Sequence, residues 1–193
     1  VSRAESAAAT RRALLDEAAE LLDGGGPDAV TLREVGARAG VSRGAPYRHF
    51  ADKASLLTAV AAEGWERLGD HMHAVRTESG LPATDKLRAA LLGVITVSRQ
   101  RPHLYQLMFT SPTKDPQAVG RAAKRMCDEF LLLVADVVGE TNAERCAAIL
   151  LTGVHGAAGL EKSGLLSTDN WQTNAEDLTD ALVTMIEGSE RRG

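Results

Sequence analysis

The sequence predicts an all-α protein, with a three-helix helix-turn-helix domain at the N-terminus, a larger helical domain behind it, and about nine helices in total. Three observations predict it. Apolar residues recur at three- and four-residue spacing from end to end, sustained period-2 alternation is missing, and helix caps recur just ahead of the apolar runs. The 193 residues suffice for a buried core, and 44% hydrophobic with 25% charged residues excludes a disordered chain.

In the first helix, from Ser6 to Asp23, Leu14, Ala18, Leu21 and Leu22 form an apolar stripe opposite Arg11, Arg12 and Glu20. Gly24-Gly25-Gly26-Pro27 is expected to end it. Thr31-Leu32-Arg33-Glu34 has the form of a capping box, with Val30 and Val35 placed as its hydrophobic staple, and Gly40 can close the short helix that follows. Ser42 is expected to cap a third helix and Asp52 a fourth running to about Glu78. Thr84 opens a fifth to about Arg101, and Pro102 marks a break before a short segment, His103 to Thr110. Asp115-Pro116 reads as a cap and first-turn proline for a helix to Val138. Gly139 ends that helix, Thr141-Asn142-Ala143-Glu144 has the form of a second capping box for a helix to about Ser163, and the last helix runs from about Trp171 to Glu187. The short runs Val94–Val97 and Leu131–Val134, which could suggest strands, lie inside these patterns and read as buried helical faces. No solenoid-period repeat is visible.

Cys127 and Cys146 form neither a disulfide framework nor a CxxC metal spacing. Residues 1–10 lack an apolar secretory core, and the stretch Cys146–Leu160 is too short to span a bilayer. The expectation is a cytoplasmic protein with no membrane partner.

The formal net charge of -4 points away from nucleic acid, and only 4% aromatic residues disfavour a base-stacking platform. The distribution reverses the first impression. Between Thr31 and Lys53 stand Arg33, Arg38, Arg43, Arg48 and Lys53 against Glu34 and Asp52, a local balance of +3 that leaves -7 for the rest. Three short helices with a tight Ala39-Gly40-Val41 turn give the spacing of a helix-turn-helix, and the basic stretch is the footprint duplex DNA requires. Gly44 and Ala45 present little side chain at the start of the third helix, Arg43 and Arg48 can reach guanine edges or phosphate, and Tyr47 and His49 carry donors for phosphate oxygens. Lys53 opposes the dipole at the start of its helix, a placement that helps only beside a phosphate.

The segments Thr31–Val35, Ala39–Gly44 and Tyr47–Lys53, with Leu56-Leu57, resemble the DNA-binding domain of the TetR family of bacterial transcriptional regulators over residues 10–57. The resemblance implies a homodimer bound to a double-stranded operator, usually as a repressor, and released by an unidentified small-molecule effector, without a cofactor. Carried onto matching positions, it implies contacts from Thr31, Arg33, Ser42, Arg43, Gly44, Ala45, Tyr47, Arg48, His49 and Lys53. Pro46 departs from the family's commoner aliphatic residue and can shift the reading helix. The DNA-binding domain is taken as 1–57, including the start of helix four, and the ligand-binding and dimerisation domain as 58–193.

The segment Leu151–Gly164 resembles the WHG subgroup of TetR-like effector domains, with Val154 in place of its tryptophan. Small residues on that helix and the apolar side of the last helix suggest a dimer seam of Gly153, Gly156, Ala157, Leu160, Leu178, Leu182 and Met185, although the same small residues also suit packing within the chain. Candidate pocket residues are Trp65, His103, Tyr105, Met108, Phe109, Met126, Phe130 and His155, each of which also reads as ordinary core. Two rivals compete. A response to a protein partner, or to nothing, fits the same sequence. An enzyme does not: His71 and His73 point to different sides of a helix, and GxSxG and phosphate-binding glycine motifs are missing, so neither catalytic nor metal-ligating residues are expected.

Overall fold

A computed structural model describes residues 2–112 and 114–190, and in these residues it is helical without strands. Ten helices follow one another: α1 (Arg3–Ala29), α2 (Leu32–Arg38), α3 (Ala45–His49), α4 (Lys53–Thr77), α5 (Ala83–Gln100), α6 (Pro102–Met108), α7 (Pro116–Val138), α8 (Glu140–Lys162), α9 (Thr168–Trp171) and α10 (Ala175–Glu190). The chain forms two compact units, Val1–Trp65 with Arg101–Ala122, and Glu66–Gln100 with Ala123–Gly193.

The first unit is built on the stripe expected of α1, whose Leu14, Ala18 and Leu22 are fully buried together with Val30, Val35 and Leu56. Its glycine run breaks the first helix, as the sequence suggests: the helix runs through Gly24 and Gly25, Gly26 (φ 70°) is not helical, and a short last turn restarts at Pro27. One left-handed residue suffices for the kink, and proline suits a restarting first turn. Thr31 caps α2 through the Glu34 amide at 3.1 Å, while the Glu34 carboxylate pairs with Arg38 at 3.3 Å. Asp52 and Ser55 close the start of α4 reciprocally: the Ser55 amide donates to Asp52 Oδ1 (2.7 Å) and the Asp52 amide to Ser55 Oγ (3.1 Å). These bonds, above all the one from the Ser55 backbone, hold the Asp52 carboxyl below its ordinary range. Asp23 joins α1 to Arg101, just ahead of α6, at 2.7 Å.

The second unit packs α5, α8 and α10 around Leu87, Leu91, Val94, Leu150, Val154 and Val183. Two expected starts differ. The second capping box is not made: Gly139 (φ 75°) turns the chain, α8 begins at Glu140, and Thr141 therefore lies inside the helix. The last helix starts later, because positive-φ Gln172 breaks the chain after the single turn α9, and Asn174 caps α10 through the Asp177 amide at 2.8 Å. Arg99 of α5 forks onto Glu161 of α8 at 2.7 and 2.6 Å and also pairs with Glu176 of α10. Glu129 accepts from Arg76 Nε at 2.7 Å.

These pairings, with the arginine bond as the largest cause in each case, hold the carboxyls of Glu129 and Glu176 below the ordinary glutamate range. Groups lowered in the folded state contribute stability above the unfolded value, and that stability is lost as pH falls through the folded value. The melting temperature should therefore hold from neutral pH and fall below about pH 4.5, with Arg76→Ala flattening the fall. Because these side chains are part-exposed, the variant should cost only about 1 kcal/mol near neutrality. Thermal melts of both proteins between neutral pH and about pH 3 check this.

Candidate nucleic-acid interface

The helix-turn-helix is assembled by short-range bonds. The α2 C-terminus passes into Gly40 (φ 65°), and the Val41 amide returns to the Gly36 carbonyl at 3.2 Å, closing the turn. The Ala45 amide donates to the Ser42 carbonyl at 2.9 Å, so α3 begins at Ala45 behind Gly44, and no side chain caps it; the expected Ser42 cap is absent. The five residues of α3 end where the Phe50 amide meets the Pro46 carbonyl. Phe50 is buried, as its place on the inner side requires, and the Arg11 guanidinium stacks 5.2 Å from its ring centre.

The expected contact residues are mostly on the surface. Thr31, Arg33, Ser42, Arg43, Gly44, Tyr47 and Arg48 are exposed, and His49 and Lys53 are half-buried. Ala45 differs from them: it is buried at the start of α3, at 5% exposure. Arg33, Arg43 and Tyr47 rim one groove of about 500 Å³ whose floor is Leu32, Gly36, Val41 and Pro46. Among the described residues, Arg33, Arg43, Arg48 and Lys53 enter no ion pair, while the neighbouring Arg38 is held by Glu34. Unpaired guanidiniums beside a phenol 59% exposed form a surface that an anion would complete. Lys114, which sequence reasoning did not single out, lies 3.4 Å from Asp52 at the start of α4.

The candidate pocket residues divide between the units. In the first, Trp65 and Tyr105 lie 4.9 and 4.8 Å from the Phe109 ring, and Met108 and the half-buried His103 belong to the same α6 segment. The Trp65 indole N–H donates to the Met108 carbonyl at 3.1 Å, and burial pushes the Tyr105 phenol up to about 12. The His103 ring comes to 3.3 Å from where a Cβ on Gly26 would stand, so its packing is against the α1 kink. In the second unit Met126 and Phe130 are core, whereas His155 is exposed on α8.

The candidate seam also divides. A Cβ on Gly153 would meet Leu182 at 2.6 Å, so these two residues pack against each other within the chain, and Ala157 is buried. Gly156 is open and exposed, Leu160 and Met185 are 47% and 69% exposed, and Leu178 is half-buried. Exposed Ile149 shares the α8 face of Gly156 and Leu160 at helical spacing, a periodicity the sequence already contained. An apolar groove of about 600 Å³ opens beside this face, lined by Leu160, Leu165, Leu166, Trp171 and Leu178. Among the described residues, no helix is long and apolar enough to cross a membrane.

Residues 14–60 match the family described as bacterial regulatory proteins, tetR family, and residues 87–186 match the tetracyclin repressor-like C-terminal domain. The chain is 42% identical over 74 residues to the HTH-type transcriptional repressor Rv1474c of Mycobacterium tuberculosis. That match spans 38% of this chain and 37% of the relative. A protein of unknown function from Rhodococcus sp. RHA1 has a similar structure, with TM-score 0.76, 25% identity and coverage of 93% of this chain and 94% of that one. A TetR transcriptional regulator from the same organism shares the fold, with TM-score 0.67, 21% identity and coverage of 92% and 95%.

Proposed function

This chain belongs to the TetR family of bacterial regulatory proteins, and on that premise we propose that it is a dimeric, cytoplasmic repressor whose helix-turn-helix binds a pseudo-palindromic DNA operator and which a small ligand releases. The observation that carries the DNA reading is the set of exposed cations around α2 and α3 that enter no ion pair among the described residues, in a chain that is acidic overall. Arg43 and Arg48 with Gly44 stand nearest the bases, and Thr31, Arg33, Ser42, Tyr47, His49 and Lys53 serve the phosphates. Residues 1–57 read DNA; residues 58–193 hold the effector and pair the subunits.

Pairing is assigned to the exposed side of α8 and α10, where Ile149, Gly156, Leu160 and Met185 leave an apolar face open to a second copy. The likeness of residues 151–164 to the WHG subgroup supports the same use of α8. For the effector, Tyr105 and Phe109, packed beside the core residue Trp65 in the first unit, supply apolar surface, with His103 as a polar handle. An effector must bind the DNA-free form more tightly than the DNA-bound form, or it releases nothing.

The test is selection of duplexes from a randomised pool, then titration of the recovered sequence at several salt concentrations with sedimentation of the complex. The expected result is an inverted repeat bound by two chains, with affinity falling linearly in log salt. Recovery of no sequence preference, or binding by a single chain, would sink the reading.

A further inference from the structure

The geometry points to Gly36 and Pro46 as an interlocking pair of positioning residues that sets how α3 sits on α2, and hence which bases the reading helix meets; the second half rests on the DNA-binding role above. Gly36 is an interior residue of the seven-residue α2. Glycine there weakens a helix relative to alanine, and its backbone is not left-handed, so no turn demands it. Space demands it. A Cβ at Gly36 would stand 2.6 Å from Pro46 Cγ, closer than real Cβ contacts come, and 3.4 Å from its Cδ.

The ring cannot swing aside as a flexible side chain would, because its carbons are bonded into the α3 backbone. Pro46 is itself buried, lies in the first turn of α3 where its missing N–H costs no hydrogen bond, and accepts the Phe50 amide at 2.9 Å. The position of the ring is thus the position of the helix. Gly36 holds the other side as well, since its carbonyl takes the Val41 amide that closes the turn. Tyr47 and Arg48 follow Pro46 directly, and Arg43 precedes α3 by two residues, so a displacement of the ring carries all three across the groove. Base-edge hydrogen bonds tolerate such displacement poorly, whereas long-range attraction to phosphate tolerates it well.

The experiment compares four full-length proteins: the natural chain, Gly36→Ala, Pro46→Ala and the double variant. Each is melted without DNA, and each is titrated with the duplex recovered by selection and, at low salt, with mixed-sequence duplex. Gly36→Ala should melt about 5 °C lower despite its better helix propensity, and bind the selected duplex about tenfold more weakly. Its affinity for mixed sequence should change by no more than about twofold. The double variant should recover both the melting temperature and the specific affinity to within about threefold. Wild-type behaviour of Gly36→Ala, or losses that simply add in the double variant, would overturn the interlock. Equal weakening on both duplexes would overturn its positioning role in favour of a loss of fold. If the natural chain selects no sequence while the melting effects still couple, the DNA reading fails and takes the positioning role with it, leaving the interlock as a fact of folding.

Discussion

Replacing Arg43 with alanine should weaken binding to the selected duplex by about tenfold or more, the cost of about 1–3 kcal/mol for losing a guanidinium on a base edge, and flatten the preference at one position of each half-site. Arg43 lies just ahead of α3, is exposed, rims the groove with Arg33 and Tyr47, and enters no ion pair among the described residues. A guanidinium so placed loses no internal partner on meeting DNA, so its whole hydrogen-bonding capacity is available to the base. Tyr47→Ala and Lys53→Ala should behave differently. Each should lower affinity evenly across sequences, and Lys53→Ala should also reduce the slope of log affinity against log salt by about one. Titrations of the three variants on matched and single-base-changed duplexes separate the two patterns. An unchanged preference in Arg43→Ala would move base reading to Arg48.

The DNA-reading unit was legible because its determinants are local. The Thr31 cap, the left-handed Gly40 and the Asp52–Ser55 start of α4 each depend on residues within a few positions, and each is present. Where the sequence misled, a competing local solution had taken the same residues. Thr141 and Glu144 have capping-box spacing, but Gly139 turns the chain early enough to place Thr141 inside α8. Ala45 was read for its size, and size alone does not say that the residue is buried, as it is at 5% exposure. Gly36 carried a readable signal, a glycine against propensity in a short helix, but its partner ten residues on could not be named without coordinates. The pocket and seam residues depend on long-range packing, and periodicity records only that a position is apolar. That is why the smallness of Gly153 suited both a subunit seam and packing within the chain, and only the fold shows that it accommodates Leu182 of its own chain.

The same ambiguity is sharpest at Trp65, read from sequence both as a pocket wall and as core, and its truncation should be the most damaging single change to the fold. The side chain is 6% exposed, its ring meets Phe109 edge-on at 4.9 Å, and its N–H satisfies the Met108 carbonyl. One residue earlier in α4, Gly64 lets α6 approach so closely that a Cβ there would stand 2.8 Å from the Met108 sulfur. Trp65→Ala therefore opens a void between two tightly apposed helices and strands a carbonyl, and should cost about 3–5 kcal/mol in denaturant unfolding. Trp65→Phe keeps most of the ring and loses the hydrogen bond, so it should cost about 1–2 kcal/mol. This ordering distinguishes a core tryptophan from a ligand wall. A residue held mainly for a ligand would leave the unfolding free energy nearly unchanged in both variants and alter only the effector response. A residue held by Phe109 and Met108 should show the graded loss before any effector is added, because the indole's one donor is already engaged within the chain.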